Sequence, residues 1–313
     1  MNGMQANYTI ESGRVVQSEK SSHWVRVIAP DPGELDVLDD RYHFPFDYLQ
    51  AGIDPHEDPR VVGVRDGSDK PALMVLRVPE STTNAQGDQV YETVPMAMIL
   101  VGEQLVTVSA KRLAVVDDFI AHTRALGDAE DLALALLQAV LSAFVQDVDE
   151  MDQRTRAMES RLATASRNTL LYEIIALERS LVYFDAALTK TQAVVKKLSD
   201  SAQYFTTDEH LYRLHAVNVE CEQVLTVCDC ARALLDQYNT AVSAIVGNNL
   251  NLIMKVLTSV SIIMTIPAIV SGIWGMNTWL PLRHGMSGFF ILLAVMGILC
   301  GACAWLLKKK DYF

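Results

Sequence analysis

The sequence predicts an α/β cytoplasmic domain followed by a long helical stalk that continues into a two-helix transmembrane region. Three observations predict it. Short β-branched runs punctuated by Gly, Pro and Asp fill roughly the first 125 residues. No proline occurs from Asp128 to Ile266 and Gly247 is the only glycine there, so long helices are expected. Two uncharged apolar runs, Val256 to Trp274 and Gly288 to Leu307, close the chain, each about as long as a helix needs to cross a ~30 Å hydrocarbon core.

In the first domain (residues 1–127), strands are expected at Trp24 to Ile28, Val61 to Val64, Ala72 to Val78, Met96 to Val101 and Leu105 to Val108. Pro32 to Leu38 and Phe46 to Gln50 suggest short helices, and Lys111 to Leu126 another. Glu80 to Gln89 reads as a hairpin loop. The second region (128–254) holds a helix from Asp128 to about Thr164, one from Asn168 to about Leu198, and the start of a third that runs from about Thr207 to Gly272. At 1.5 Å per residue that last helix is roughly 100 Å long, too long for a single-domain core and suited to a stalk.

The membrane region (255–307) comprises helices at about 256–274 and 288–307 joined by an outer loop, 275–287; a basic tail, 308–313, follows. Lys255 flanks the first helix, and Lys308, Lys309 and Lys310 follow the second, against Arg283 alone in the loop. Positive charge gathers on the cytoplasmic side, so both termini are expected there and the protein is expected in the cell (inner or plasma) membrane as a multi-pass chain. No secretory signal opens the sequence. A small-residue face on the second helix, Ala294, Gly297, Gly301 and Ala304, is expected to approach the first.

The net charge of −12 argues against a nucleic-acid partner, which would call for a basic patch. Cys221, Cys228, Cys230, Cys300 and Cys303 form no extracellular framework, and the C-x-x-C at Cys300 lies in an apolar span without His or acid nearby, so it reads as packing. The histidines, His210 and His215 included, show no metal-ligand spacing. No Gly-rich phosphate loop, nucleophile elbow or paired catalytic carboxylates appear, so neither an enzyme nor ATP-driven transport is expected.

The first membrane helix carries the chemistry. At about 100° per residue, Thr258, Ser261, Thr265, Ala268 and Gly272 share an arc of roughly 80°, and Asn251 and Met254 continue it inward. A small, polar stripe on an apolar helix faces either another helix or water. As a pore lining it offers hydroxyls to the waters of a passing ion, while Met254 and Leu257 offer an apolar constriction of the kind that gates by dewetting. The helix ends at Gly275-Met276-Asn277.

Asn251 to Thr258, Ile266-Pro267 and Gly272 to Asn277 together resemble the first transmembrane helix and signature tripeptide of the CorA family of magnesium channels. Phe44 to Leu49, Leu76 to Pro79, and Asn168 through Leu177 to Phe184 resemble the family's cytoplasmic segments. The resemblance implies a CorA-like fold assembled as a homopentamer in the lipid bilayer. It also implies divalent cations as cargo, with Mg²⁺ both transported and regulatory, held by carboxylates between subunits. Gly275, Met276 and Asn277 then form the selectivity filter, Asn277 meeting the ion through its hydrating waters. Magnesium gives up water reluctantly, so a ring of neutral amide oxygens suits it. Gly275 is expected to allow a close turn and Met276 to wedge that turn against the helices.

CorA relatives often carry an acidic residue soon after the tripeptide; here the loop from Thr278 to Gly285 has none, and includes Arg283. Candidate regulatory carboxylates are Asp147, Asp149, Glu150 and Asp152, with Asp31, Glu34, Asp36, Asp39 and Asp40. The competing readings are a solvated helix face for the 147–152 run, a Zn²⁺ or Co²⁺/Ni²⁺ transporter of the same superfamily, and a membrane-tethered scaffold or sensor, for which a polar stripe has no use.

Overall fold

A computed structural model describes residues 4–19, 22–64, 71–83, 87, 89–161, 167–200, 204–276 and 286–310. They fall into two compact units, Met1–Tyr238 and Asn239–Phe313. The first unit holds β1 (Met4–Glu11), β2 (Arg14–Gln17), β3 (Trp24–Ile28), α1 (Pro32–Tyr42), α2 (Phe46–Gln50), β4 (Arg60–Val62), β5 (Ala72–Thr83), β6 (Gln89–Val101), β7 (Gln104–Ser109), α3 (Ala114–His122), α4 (Ala129–Arg161) and α5 (Arg167–Ser199). Helix α6 (Asp208–Trp274) has 67 residues, and α7 (Met286–Lys309) closes the fold.

The strands form one sheet in the order β2-β1-β3-β7-β6-β5-β4, antiparallel except for the β3–β7 pair. The period-2 alternation of each strand splits its side chains between two layers. Val25 and Val27, Leu73 and Val75, and Val106 and Val108 pack with Leu38 of α1 and Tyr48 and Leu49 of α2. Alternate residues point to the other layer: Trp24 donates from Nε1 to Thr107 Oγ1 (2.9 Å), and buried Arg26 pairs with Asp117 of α3 at 2.6 Å. Helices α4 and α5 also contact the sheet. Gly52, just after α2, approaches β7 so closely that a Cβ would sit 2.3 Å from the Val108 carbonyl oxygen; any larger residue would push the two apart.

All five strands read from the sequence are present, but β1 and β2 are additional. They form a hairpin at one end of the sheet, β2 at its edge and β1 between β2 and β3, whose polar, alternating residues lack a continuous apolar run. Their turn was visible in Ser12-Gly13: both have positive φ (51° and 75°), and Glu11 pairs with Arg14 across it. That is the geometry of a two-residue hairpin loop. The expected loop from Glu80 to Gln89 is shorter in fact, because Glu80 to Thr83 continue β5 and pair with Glu92 to Gln89. Likewise the helix expected over Lys111 to Leu126 is confined to Ala114–His122.

Among the described residues, three helical stretches are long and apolar enough to cross a membrane: Ala129–Met158, Asp208–Trp274 and Met286–Lys309. Burial separates them. Over half of the apolar window in α4 is buried inside its own unit, against almost none in α6 and α7. Helix α4 is apolar because it packs on the sheet; α6 and α7 bear apolar surface that their own chain leaves uncovered.

Candidate functional site

Within the second unit, burial singles out one face of α6. From 251 to 276 the residues that are not exposed are Lys255, Ser259, Ile263, Ile266, Pro267, Val270 and Trp274. At about 100° per residue these occupy an arc centred roughly 160° from the stripe of small and polar residues. On α7 the matching covered face is Gly288, Leu292, Met296, Cys300, Cys303, Ala304 and Leu307. Of the small-residue face expected to meet α6, Ala304 alone lies on the covered side. Ala294, Gly297 and Gly301 are exposed, and a Cβ on either glycine would meet nothing within 4 Å. Larger side chains, offset by a fraction of a turn, make the seam instead.

One contact explains how the seam tolerates its proline. Pro267 has no N–H, so the carbonyl four residues earlier, that of Ile263, loses its helical donor. Cys300 Sγ on α7 donates to that oxygen at 3.8 Å, the kind of neighbouring-helix repair that an apolar setting requires. Cys300→Ala should therefore lower stability by about 1 kcal/mol, and Cys300→Ser, which keeps a donor, by less. Thermal unfolding in detergent checks this; equal losses for both variants would mean that only packing matters there.

The predicted pore-lining residues Asn251, Met254, Leu257, Thr258, Ser261, Thr265, Ala268 and Gly272 are all exposed on the uncovered side of α6. Gly272 has nothing within 4 Å of an added Cβ, so no contact inside the chain calls for its small size. Ser261 donates to the Leu257 carbonyl (2.8 Å) and Thr265 to that of Ser261 (2.7 Å). With their protons committed to the helix, these hydroxyls present lone pairs outward. Such a surface accepts hydrogen bonds from water whose own oxygen faces a cation.

Gly275 N–H donates to Ser271 O (2.9 Å) and Met276 N–H to Ile273 O (3.2 Å), ending α6 in a tightened last turn. An added Cβ on Gly275 would lie 3.2 Å from Ser271 O. Met276 is 51% exposed. Asn277 and the loop to Gly285 lie outside the described residues.

The acidic candidates divide by use. Asp31 and Glu34 form a reciprocal cap on α1: Asp31 Oδ1 accepts from Glu34 N (2.8 Å), and Glu34 Oε2 from Asp31 N (3.0 Å). Asp152 pairs with Arg156 at 2.8 Å, and Asp149 and Glu150 are exposed. Asp147 differs. Burial, reinforced by the Glu150 charge, raises its pKa to about 6. The fold thus favours the protonated acid: this stability is fully present below the unfolded pKa of about 4 and is lost as pH rises through about 6. Asp147→Asn should stabilise the protein at pH ~7.5 by on the order of 1 kcal/mol, after allowing for partial exposure, and not at pH ~4. Melting curves at the two pH values check the sign; equal gains at both would contradict it.

Burial also raises the thiol pKa of Cys221 to about 11 and of Cys228 to about 12, making both inert packing groups. Cys230 is exposed instead, so packing within the chain does not account for it. His210 is buried beside Asp128, Glu130 and Asp131, partners some 80 positions earlier in the chain, a distance at which no local spacing rule can operate. The only sequence hint was an uncommitted acidic cluster, Asp128 to Asp131, at the start of a helix.

A family model described as CorA-like Mg²⁺ transporter protein matches residues 19–309. The cobalt/magnesium transport protein CorA of Methanocaldococcus jannaschii is 22% identical over 296 residues, covering 92% of this chain and 90% of that protein. The complete structure of the CorA magnesium transporter from the same organism aligns with a TM-score of 0.79 at 18% identity, over 100% of this chain and 99% of that one. The ZntB cytoplasmic domain from Vibrio parahaemolyticus aligns at 0.60 and 11% identity, covering 79% of this chain and 100% of that domain. At such identities the structural likenesses bear on the fold alone: an α/β sheet domain, a long helix and C-terminal apolar helices. The family match runs from before β3 to the end of α7 and so takes in five of the sheet's seven strands and the striped helix. This chain belongs to the family of CorA-like Mg²⁺ transporter proteins.

Proposed function

We propose that this chain forms a homopentameric channel that admits Mg²⁺ down the membrane potential, through a pore lined by one α6 helix from each subunit. The observation that carries this reading is the opposition of two faces on α6. Its apolar side and Pro267 meet α7, while Thr258, Ser261, Thr265, Ala268 and Gly272 look the other way, uncovered. Several copies arranged with α7 outermost bring those stripes around one axis and set α7 against lipid. Acceptor-only hydroxyls then solvate the water shell of a passing cation without stripping it, as suits a metal that dehydrates reluctantly.

In this reading Asn277 supplies the outer ring, with Gly275 and Met276 shaping the filter, and Met254 and Leu257 form the inner constriction. Residues 1–127 and 128–254 form the cytoplasmic part, where internal Mg²⁺ bound by carboxylates between subunits holds the channel shut. Residues 255–307 span the membrane twice with both termini inside, and the lysines after α7 stay with the cytoplasm. No chemical fuel is needed, since a divalent ion gains about 4.6 kcal/mol on entering down an inside-negative potential of about 100 mV. Nothing in this scheme calls for an enzyme. The names of relatives that carry cobalt and magnesium favour the same cargo class.

Purified protein in liposomes under an inside-negative potential should take up Mg²⁺, and native mass measurement should return a pentamer. Uptake of Zn²⁺ or Co²⁺ without Mg²⁺ would move the reading to a transition-metal transporter. A monomer with no flux would leave the stripe without a lumen and favour a membrane-tethered scaffold or sensor.

A further inference from the structure

We infer that Asp128, Asp131 and His210 form a second, intramolecular metal site that takes an imidazole-binding divalent ion of the Zn²⁺, Co²⁺ or Ni²⁺ class. The site lies wholly within the first unit, where the start of α4 meets the first turn of α6, and it stands whether or not the chain conducts Mg²⁺. One atom from each residue, Asp128 Oδ2, Asp131 Oδ1 and His210 Nε2, lies within 4.8 Å of the other two. The backbone fixes both carboxylates by their remaining oxygens: Asp128 Oδ1 accepts from Asp131 N (2.8 Å), and Asp131 Oδ2 from Gly127 N (2.9 Å). Each is thereby aimed at the same ring nitrogen.

The distances are those of ligands around one ion. His210 Nε2 is 3.3 Å from each aspartate oxygen. A charge-assisted hydrogen bond would close to about 2.7–2.9 Å. Ligands held about 2.0–2.1 Å from a tetrahedral centre stand roughly 3.3–3.4 Å apart. Asp131 and His210 are each 5% exposed, and buried Asp131 Oδ1 receives no hydrogen bond. Arg213 Nη1 lies 3.1 Å from it but off hydrogen-bonding geometry, and its other terminal nitrogen is held by Glu209 and the Ala125 carbonyl.

The other ring nitrogen, Nδ1, is 3.0 Å from Glu130 Oε2, itself anchored by Phe205 N at 2.6 Å. A small rotation of the ring completes that bond, which fixes the tautomer with Nε2 bare, as carboxylates behind metal-bound imidazoles do. Asp128 is exposed, giving an entry path and room for a fourth, water ligand. One imidazole with two carboxylates suits Zn²⁺, Co²⁺ or Ni²⁺; Mg²⁺ prefers six oxygens. The site is thus distinct in chemistry from a path for hydrated Mg²⁺.

Co²⁺ serves as the probe because tetrahedral Co²⁺ absorbs visible light far more strongly than the hydrated octahedral ion. Full-length protein, stripped with chelator and titrated in detergent, should show an intense band saturating at about one Co²⁺ per chain. Zn²⁺ should abolish the band, and excess Mg²⁺ should leave it. His210→Gln and Asp128→Asn should each weaken binding about tenfold or more, while His215→Gln, one turn along α6, should not. Asn at 128 still caps α4, so unchanged circular dichroism in Asp128→Asn separates lost ligation from lost folding. No intense band, or a band that persists in both His210→Gln and Asp128→Asn, would overturn the site. Because the readout is spectroscopic, Mg²⁺ flux can fail without affecting it.

Discussion

Asn277→Ala should abolish Mg²⁺ uptake while leaving the oligomer intact. The substitution removes an amide acceptor from each subunit but little volume. If each lost hydrogen bond to the hydrated ion is worth about 1 kcal/mol, five lost together amount to about 5 kcal/mol, enough to reduce flux by about a hundredfold or more even with partial compensation. The outer loop offers no carboxylate to take over, and Arg283 lies in it. Uptake in liposomes, with native mass measured on the same preparation, checks the result. Parent-like uptake by the variant would remove Asn277 from the ion's path.

The second large effect is expected at the opposite end. Met254 and Leu257 are each 58% exposed on the uncovered side of α6, one to two turns before Ser261. Brought around a common axis, their thioether and methyl groups exclude water, and a hydrated divalent ion cannot pass until the subunits part. Replacing them in Met254→Ser, Leu257→Gly wets that level without touching Asn277. In vesicles preloaded with millimolar-range Mg²⁺, the parent should be shut and the double variant should conduct, with flux higher by roughly tenfold or more. Equal, low flux from both would place the gate elsewhere, near Thr265 or at Asn277.

The sequence was most legible where a periodicity ran long. The breaker-free stretch after Asp128 marked α4, α5 and α6 to within a few residues, and the β-branched runs marked the sheet's central strands. The edge hairpin of β1 and β2 escaped because its strands are polar, although Ser12-Gly13 announced its turn. On α6 the 100° pattern separated the stripe from the rest of the helix. It did not reveal which residues of α7 lie opposite, because an apolar helix carries seams of similar composition on several faces. Small residues at 294, 297 and 301 looked suited to contact, yet Leu292, Met296 and Cys300 make it. Cys300 illustrates what a pattern cannot carry: its value lies in reaching the one carbonyl that Pro267 deprives of a donor. His210 is the same lesson in the first unit, its partners assembled by the fold across some 80 residues.

If the uncovered stripe of α6 is the wall of a water-filled ion path, substituted cysteines along it will report that water. The background replaces exposed Cys230 and the α7 thiols Cys300 and Cys303 by Ser, keeping a donor at 300. Single cysteines at Ser261, Thr265 or Ala268 should then react with a charged, water-soluble thiol reagent and lose Mg²⁺ flux. A cysteine at Ser259, fully buried on the seam, should neither react nor lose flux. Block at Ser259 with none at Thr265 and Ala268 would put the water on the other side of the helix and contradict the account.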